Sequence, residues 1–154
     1  MEFREPLDAD WNEILAIANH AVAHVPGAGT QHDWLRNRRT FSARGDQVHF
    51  VLSQHEHLLG YGSLERDASS PTDLYRAFVV THPDRLDTAG SAIYRHLEAL
   101  MNKRQVVRSQ FVEYAADVRF IEFIRARGYV ESRRFMLASG VEAVVLSKVH
   151  RHAA

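Results

Sequence analysis

Glu113 follows Phe111 at a spacing of two, which on a strand turns a carboxylate toward the same interior as an aromatic ring. A carboxyl group placed there is desolvated, its pKa rises, and it can take a proton from a reacting group. Glu65 and Tyr114 also fall near strand ends that should face the acceptor side or the gap between central strands. Taken singly, each is by default a solvated strand-end group. Glu113 ranks first because of its period with Phe111.

A second kind of chemistry is suggested by the stretch from Val79 to Ala92. A strand ends at Pro83, a short loop follows, and a helix begins on small residues. Such a start presents unpaired backbone N–H groups and the positive end of a helix dipole, which suits a phosphate or pyrophosphate. Standing alone, the loop also reads as an ordinary strand-to-helix connection.

Other polar candidates carry less. His20 and His24 are four apart on the first helix, half of a zinc site, but no third ligand with fitting spacing completes it, so no metal is expected. His55 and His57 sit in a turn. Ser63 and Ser109 lack the Gly-x-Ser-x-Gly context of a nucleophile. With no cysteine there is no thiolate chemistry and no disulfide framework.

The elements that position these residues follow from periodicity. Trp11, Ile14, Leu15, Ala18 and Val22 line one face of a first helix, with Asp10 and Glu13 as a capping box and Pro26-Gly27 as its close. A shorter helix starts after Asp33. Val48–Ser53 and Leu58–Glu65 form a hairpin around a polar turn. Leu74–Thr81 is a strong strand, dense in β-branched and aromatic residues. A helix runs from about Thr88 to Lys103, and Val106–Tyr114 is the next strand. Asp117 caps a short helix that closes at Gly128, and strands at Tyr129–Ala138 and Glu142–Val149 end the chain. The order predicts one α/β domain over residues 1–154: a mixed sheet, antiparallel at its ends, with a parallel pair around the Thr88 helix.

Composition bounds the function. The 154 residues suit one domain, and 45% hydrophobic content supports a real core. Nineteen Lys and Arg balance nineteen Asp and Glu, so no global field attracts polyanions and no nucleic-acid partner is expected. A local cluster at Arg36, Arg38, Arg39 and Arg44 reads as a solvated face that could meet an acidic acceptor. No apolar run reaches a membrane span and the first residues do not resemble a signal peptide, so a cytoplasmic location is expected.

Strand, Pro83, then Arg85-x-x-Thr88-x-Gly90 before a helix resembles the pyrophosphate motif of the GNAT N-acetyltransferase superfamily. Phe123-Ile124-Arg125-Ala126-Arg127-Gly128-Tyr129 is similar to that family's helix-to-strand segment, and Asp117 falls where the family often has Asn. The element order agrees from Phe3 to Val149.

The resemblance implies acetyl-CoA as co-substrate and a primary amine of a small molecule or peptide as acceptor. Phe78, Val79 and Val80 would offer backbone groups to the pantetheine arm. Arg85, Leu86, Asp87, Thr88, Ala89, Gly90 and Ser91 would wrap the pyrophosphate, with Asp117 nearby. A backbone N–H near Val80 would hold the oxyanion. Thr88 replaces the motif's central glycine, and Ile124 stands where many members carry a tyrosine that protonates the leaving thiolate. Tyr114 is the best substitute acid, since a phenol and a thiol have similar pKa values. Two functions stay open, an N-acetyltransferase and a module that binds coenzyme A or a protein partner without turnover. The apolar C-terminal strands (Phe135, Met136, Leu137, Val144, Val145, Leu146) lead to the expectation of a homodimer through that edge.

Overall fold

Successive side chains along the strands turn to opposite faces, and here both faces are apolar. Val51 and Tyr61 pack to one side of the sheet, while Leu52 and Leu64 pack to the other. A sheet buried on both faces needs helices on both. The computed structural model, which describes residues 1–31, 33–36, 47–70 and 73–152, has that arrangement.

In chain order the elements are β1 (Glu2–Arg4), α1 (Trp11–Ala21), β2 (Gln47–Gln54), β3 (His57–Arg66), β4 (Leu74–Thr81), α2 (Ser91–Lys103), β5 (Arg108–Tyr114), α3 (Val118–Arg125), β6 (Val130–Met136) and β7 (Glu142–Val149). The seven strands form one sheet in the order β1-β2-β3-β4-β5-β7-β6. Every neighbouring pair is antiparallel except β4 and β5, the parallel pair predicted around the helix between them. Helices α2 and α3 cover one face through Ile93, Leu97, Met101, Phe123 and Ile124. On the other, α1 packs through Trp11, Ile14 and Ile17, joined by Leu35 from the helical residues 33–36. The rest of the expected second helix, with Arg38 and Arg39, and Arg44 of the basic cluster lie outside the described residues. Among the described residues no helix is long and apolar enough to cross a membrane.

Two glycines set how closely α2 approaches. A Cβ at Gly60 would lie 2.6 Å from Ile93 Cδ1 and 2.6 Å from the Val80 carbonyl oxygen. One at Gly62 would lie 2.5 Å from Phe50 Cζ and 2.8 Å from Ile93 Cγ2. Their bare backbone lets the fully buried Ile93 settle onto β3.

Several local expectations are corrected. Asp10 does not cap α1 with its side chain. Its carboxylate accepts the Leu7 N–H at 2.6 Å and pairs with Arg4 at 2.6 Å, which holds its pKa below the usual range. Glu13 is likewise diverted and accepts the Leu58 N–H at 3.1 Å. The helix expected from Thr88 becomes regular only at Ser91. Before it come a 3₁₀ turn at Pro83–Arg85 and a π-helical turn at Leu86–Gly90, closed by Ser91 N–H donating to the Leu86 carbonyl. Val106 is fully buried but belongs to the turn before β5, where Gln105 takes a positive φ of 53°.

Candidate functional site

Pairing between β4 and β5 begins at Leu74–Arg108 and ends at Arg76–Gln110. Beyond it β4 stays on β3 as far as Thr81, and β5 stays on β7 as far as Tyr114. Each strand keeps its outer neighbour while the two separate. The gap is a cleft of about 460 Å³, open to both layers of helices. Phe78, Val79, Val80 and Thr81 form one wall, and Val112, Glu113 and Tyr114 the other. Ala18, Ala21 and Val22 of α1 and Trp34 close it on one side of the sheet, while Leu86, Asp117, Arg119 and Phe120 close it on the other.

Glu113 is the acidic group on this wall. It is only half-buried by surface exposure, because its end opens on the cleft. Fully buried Phe111 precedes it on the same face of β5. Loss of water pushes its carboxyl pKa well up, and the nearby Asp117 carboxylate adds to the rise. Tyr114 lines the same cleft.

Asp117 occupies the position before α3, and its carbonyl accepts the Ile121 N–H at 3.0 Å. The expected side-chain cap is absent. The carboxylate instead meets His24 Nε2 at 3.2 Å, across the mouth of the cleft. His24 thus faces a partner from α3 and not bulk water alone. His20 lies edge-on against His82, ring centroids 4.6 Å apart, and burial with the neighbouring imidazole lowers the His82 pKa. Among the described residues no group of three or more His, Cys, Asp or Glu is placed to hold a metal ion.

Glu65 is not brought to the cleft. It is buried opposite Arg76, beside the paired end of β4 and β5. Because β3 runs against β4, a residue late in β3 sits at the far end from Thr81.

Phe78, Val79, Val80, Leu86 and Asp117 all line the cleft, whereas Arg85, Asp87 and Thr88 are exposed on the loop beside it. Thr88 Oγ1 donates to the Arg85 carbonyl at 3.3 Å, a local bond that helps hold the reshaped turn. Ala89 is buried at 2% exposure. A Cβ at Gly90 would point at Leu86 Cδ1, 2.9 Å away, and at Phe123, so the bare position is taken up by packing within the protein. The Ser91 hydroxyl accepts from Arg127 at 2.8 Å. The Arg127 guanidinium also lies over the Phe123 ring, 3.5 Å from its centroid.

Among the cleft residues that the sequence reading did not assign to a site are Arg119 and Leu137, the latter read only as part of an apolar edge. Arg119 pairs at 3.7 Å with the exposed Asp87 of the loop. Leu137 follows β6 and reaches the cleft from the far edge. Neither carries a motif, and their neighbours are remote in sequence.

No protein-family model matches the chain, and no curated protein does. Solved structures do. A ribosomal-protein-alanine N-acetyltransferase from Brucella melitensis is 18% identical with a TM-score of 0.73, covering 97% of this chain and 100% of its own. An N-acetyltransferase from Staphylococcus aureus Mu50 superposes at 0.77 with 14% identity, covering 96% of this chain and 97% of its own. The chain has the GNAT N-acetyltransferase fold. PaiA N-acetyltransferase from Thermoplasma acidophilum, solved in complex with coenzyme A, shares that fold at 0.71 and 12% identity, covering 97% and 98%. In this GNAT fold the separation of β4 from β5 is the feature that makes a cleft within the sheet.

Proposed function

We propose that the chain is an acetyl-CoA-dependent N-acetyltransferase acting on a primary amine of a small molecule or peptide. The observation that carries this reading is the desolvated Glu113 carboxyl inside the cleft between diverging strands. Acetyl-CoA would supply the activated acyl group. The β4–β5 register pairs end at Arg76–Gln110, and Val79 and Val80 line the cleft beyond them, where an amide-bearing arm could lie along β4 as an added strand would. The cleft volume falls in the range of small-ligand sites. Arg85 and the start of the loop helix would meet the pyrophosphate, and Arg119 would exchange its loose partner Asp87 for phosphate. One fold neighbour's name gives a ribosomal-protein alanine as acceptor and another was solved with coenzyme A, which supports the amine and co-substrate classes.

In this reading an incoming ammonium loses a proton to Glu113, and the neutral amine attacks the thioester carbonyl directly. A backbone N–H near Val80 meets the charge that develops on the carbonyl oxygen. Tyr114 stands on the Glu113 wall as the candidate donor to the departing sulfur, in place of buried Ile124.

The test is a panel of primary amines mixed with protein and acetyl-CoA, read as released thiol, with calorimetry on acetyl-CoA alone. Turnover with at least one amine is expected. Arg85→Ala should weaken acetyl-CoA binding by about 1.5–3 kcal/mol, the size of one charge-assisted hydrogen bond. Binding without turnover on any amine would replace the enzyme by a coenzyme A-binding module. No binding would remove the reading.

The homodimer would use β6. This edge strand is exposed on both faces, with Val130 at 65% and Met136 at 62% exposure. Light scattering at high concentration should return twice the chain mass, and a monomer mass rejects the dimer.

A further inference from the structure

The reaction proposed above leaves a proton to dispose of. An ammonium that becomes an amide loses two protons. The C–N bond forms as the C–S bond breaks, and the departing thiolate takes one of the two. The other goes to Glu113, whose surroundings are largely apolar: Phe78, Val79, Val112, Phe120 and Ala143 all line the cleft. When substrates fill the cleft on which Glu113 opens, its carboxyl needs a route for this proton before the next turnover.

One line of ionisable groups leads outward. Asp117 lines the cleft beside Glu113 and its side chain is 11% exposed. His24 holds that carboxylate at 3.2 Å with a ring that is 48% exposed. The two come from opposite sides of the sheet, from the segment after α1 and from the start of α3, and meet only because the strands between them have separated. Arg119 faces the same mouth from α3, Tyr114 from β5, and His20 lies one turn back on α1. Of these, His24 is the group that combines contact with the buried carboxylate, access to water and a ring with two nitrogens, one of which can take up a proton as the other gives one up.

We infer that His24, acting through Asp117, is the outlet by which the proton taken up by Glu113 reaches solvent. The inference rests on the reading of Glu113 as the base. Asp117 receives the proton from the Glu113 carboxyl and passes it to His24 Nε2, and the imidazolium yields it to water. His24 lines the cleft and acts through Asp117, as a positioning and relay residue.

The decisive variant is His24→Gln, whose amide can keep a hydrogen bond to Asp117 but cannot carry the proton. It is measured beside His24→Ala and Glu113→Gln with the best amine of the panel. His24→Gln should lower kcat by about tenfold, less than the roughly 100-fold or more of a group that moves the proton in the transition state. KM for acetyl-CoA should hold, and added imidazole should restore His24→Ala in proportion to its concentration. A residue that only braces the cleft would be replaced well by glutamine and would show no rescue. Wild-type turnover by His24→Gln, or absence of imidazole rescue, overturns the outlet. If Glu113→Gln turns over normally, the base itself is wrong and the outlet falls with it. A Glu113→Gln loss beside a normal His24→Gln removes the outlet alone.

Discussion

Glu113→Gln is expected to lower kcat by about 10²–10⁴-fold while acetyl-CoA binding holds, because glutamine fills the same space and cannot accept a proton. Single-turnover measurement of thiol release with a saturating amine would show it. The pH dependence has a definite sign. A base must be ionised, and burial with the Asp117 charge raises the pKa of this one well above the ordinary carboxylate range. Turnover by wild type should therefore rise with pH through that raised value and not at the usual acidic one. Asp117→Asn removes one of the two causes and should move the rise to lower pH. Stability runs the other way. A carboxyl whose pKa is higher folded than unfolded binds its proton more tightly in the native state. Its contribution is present below the unfolded pKa and is lost as pH rises through the folded one. Above that window Glu113→Gln should melt at a higher temperature than wild type, and equal or lower melting temperature there would show that the carboxylate is not buried at a cost.

Gly60→Val should be the most damaging single change in the sheet. Its first added carbon already meets Ile93 Cδ1 and the Val80 carbonyl oxygen at 2.6 Å, closer than non-bonded atoms lie. Ile93 is fully buried among core neighbours and cannot swing away. The Val80 carbonyl belongs to β4 and cannot move without shifting the cleft wall. Overpacking of this kind costs about 3 kcal/mol or more, a large part of the roughly 5–15 kcal/mol that holds a domain together. The melting temperature should fall by about 6–12 °C at the usual 2–4 °C per kcal/mol for a domain of this size. A melting curve within a degree of wild type would mean that α2 is not pressed on β3 at this point.

What periodicity could reveal, it did. Leu74–Thr81 and Glu142–Val149 agree with the observed strands end to end, since each is a dense β-branched run bounded by turn residues. The faces of the helices follow from their apolar stripes in the same way. What failed depends on partners distant in the chain. Asp10 and Asp117 have the local look of helix caps, but Arg4 and His24 compete for them, and neither competition is visible in a short window. The π-helical turn at Leu86–Gly90 absorbs residues that a regular helix would have started from, and no spacing rule announces it. Of the candidate bases, the place of Glu113 on the cleft wall was legible from its period with Phe111. Glu65 was misplaced because a strand-end position is informative only once the direction of the strand is known.

The short pairing of β4 with β5 makes the sheet two ribbons, one of four strands and one of three, stitched together at one end. Three residue pairs form the stitch, so the ribbons behave as the arms of tweezers whose spring is α2 and α3 packed across the back. Small rotations at the stitch become larger displacements at Thr81 and Tyr114, the tips. Whatever fills the cleft would therefore prop the arms at a fixed angle, and a molecule of the wrong thickness would meet the stiffness of two half-sheets instead of any single contact. Selectivity of that kind is mechanical, and it would persist through changes in the side chains that line the gap.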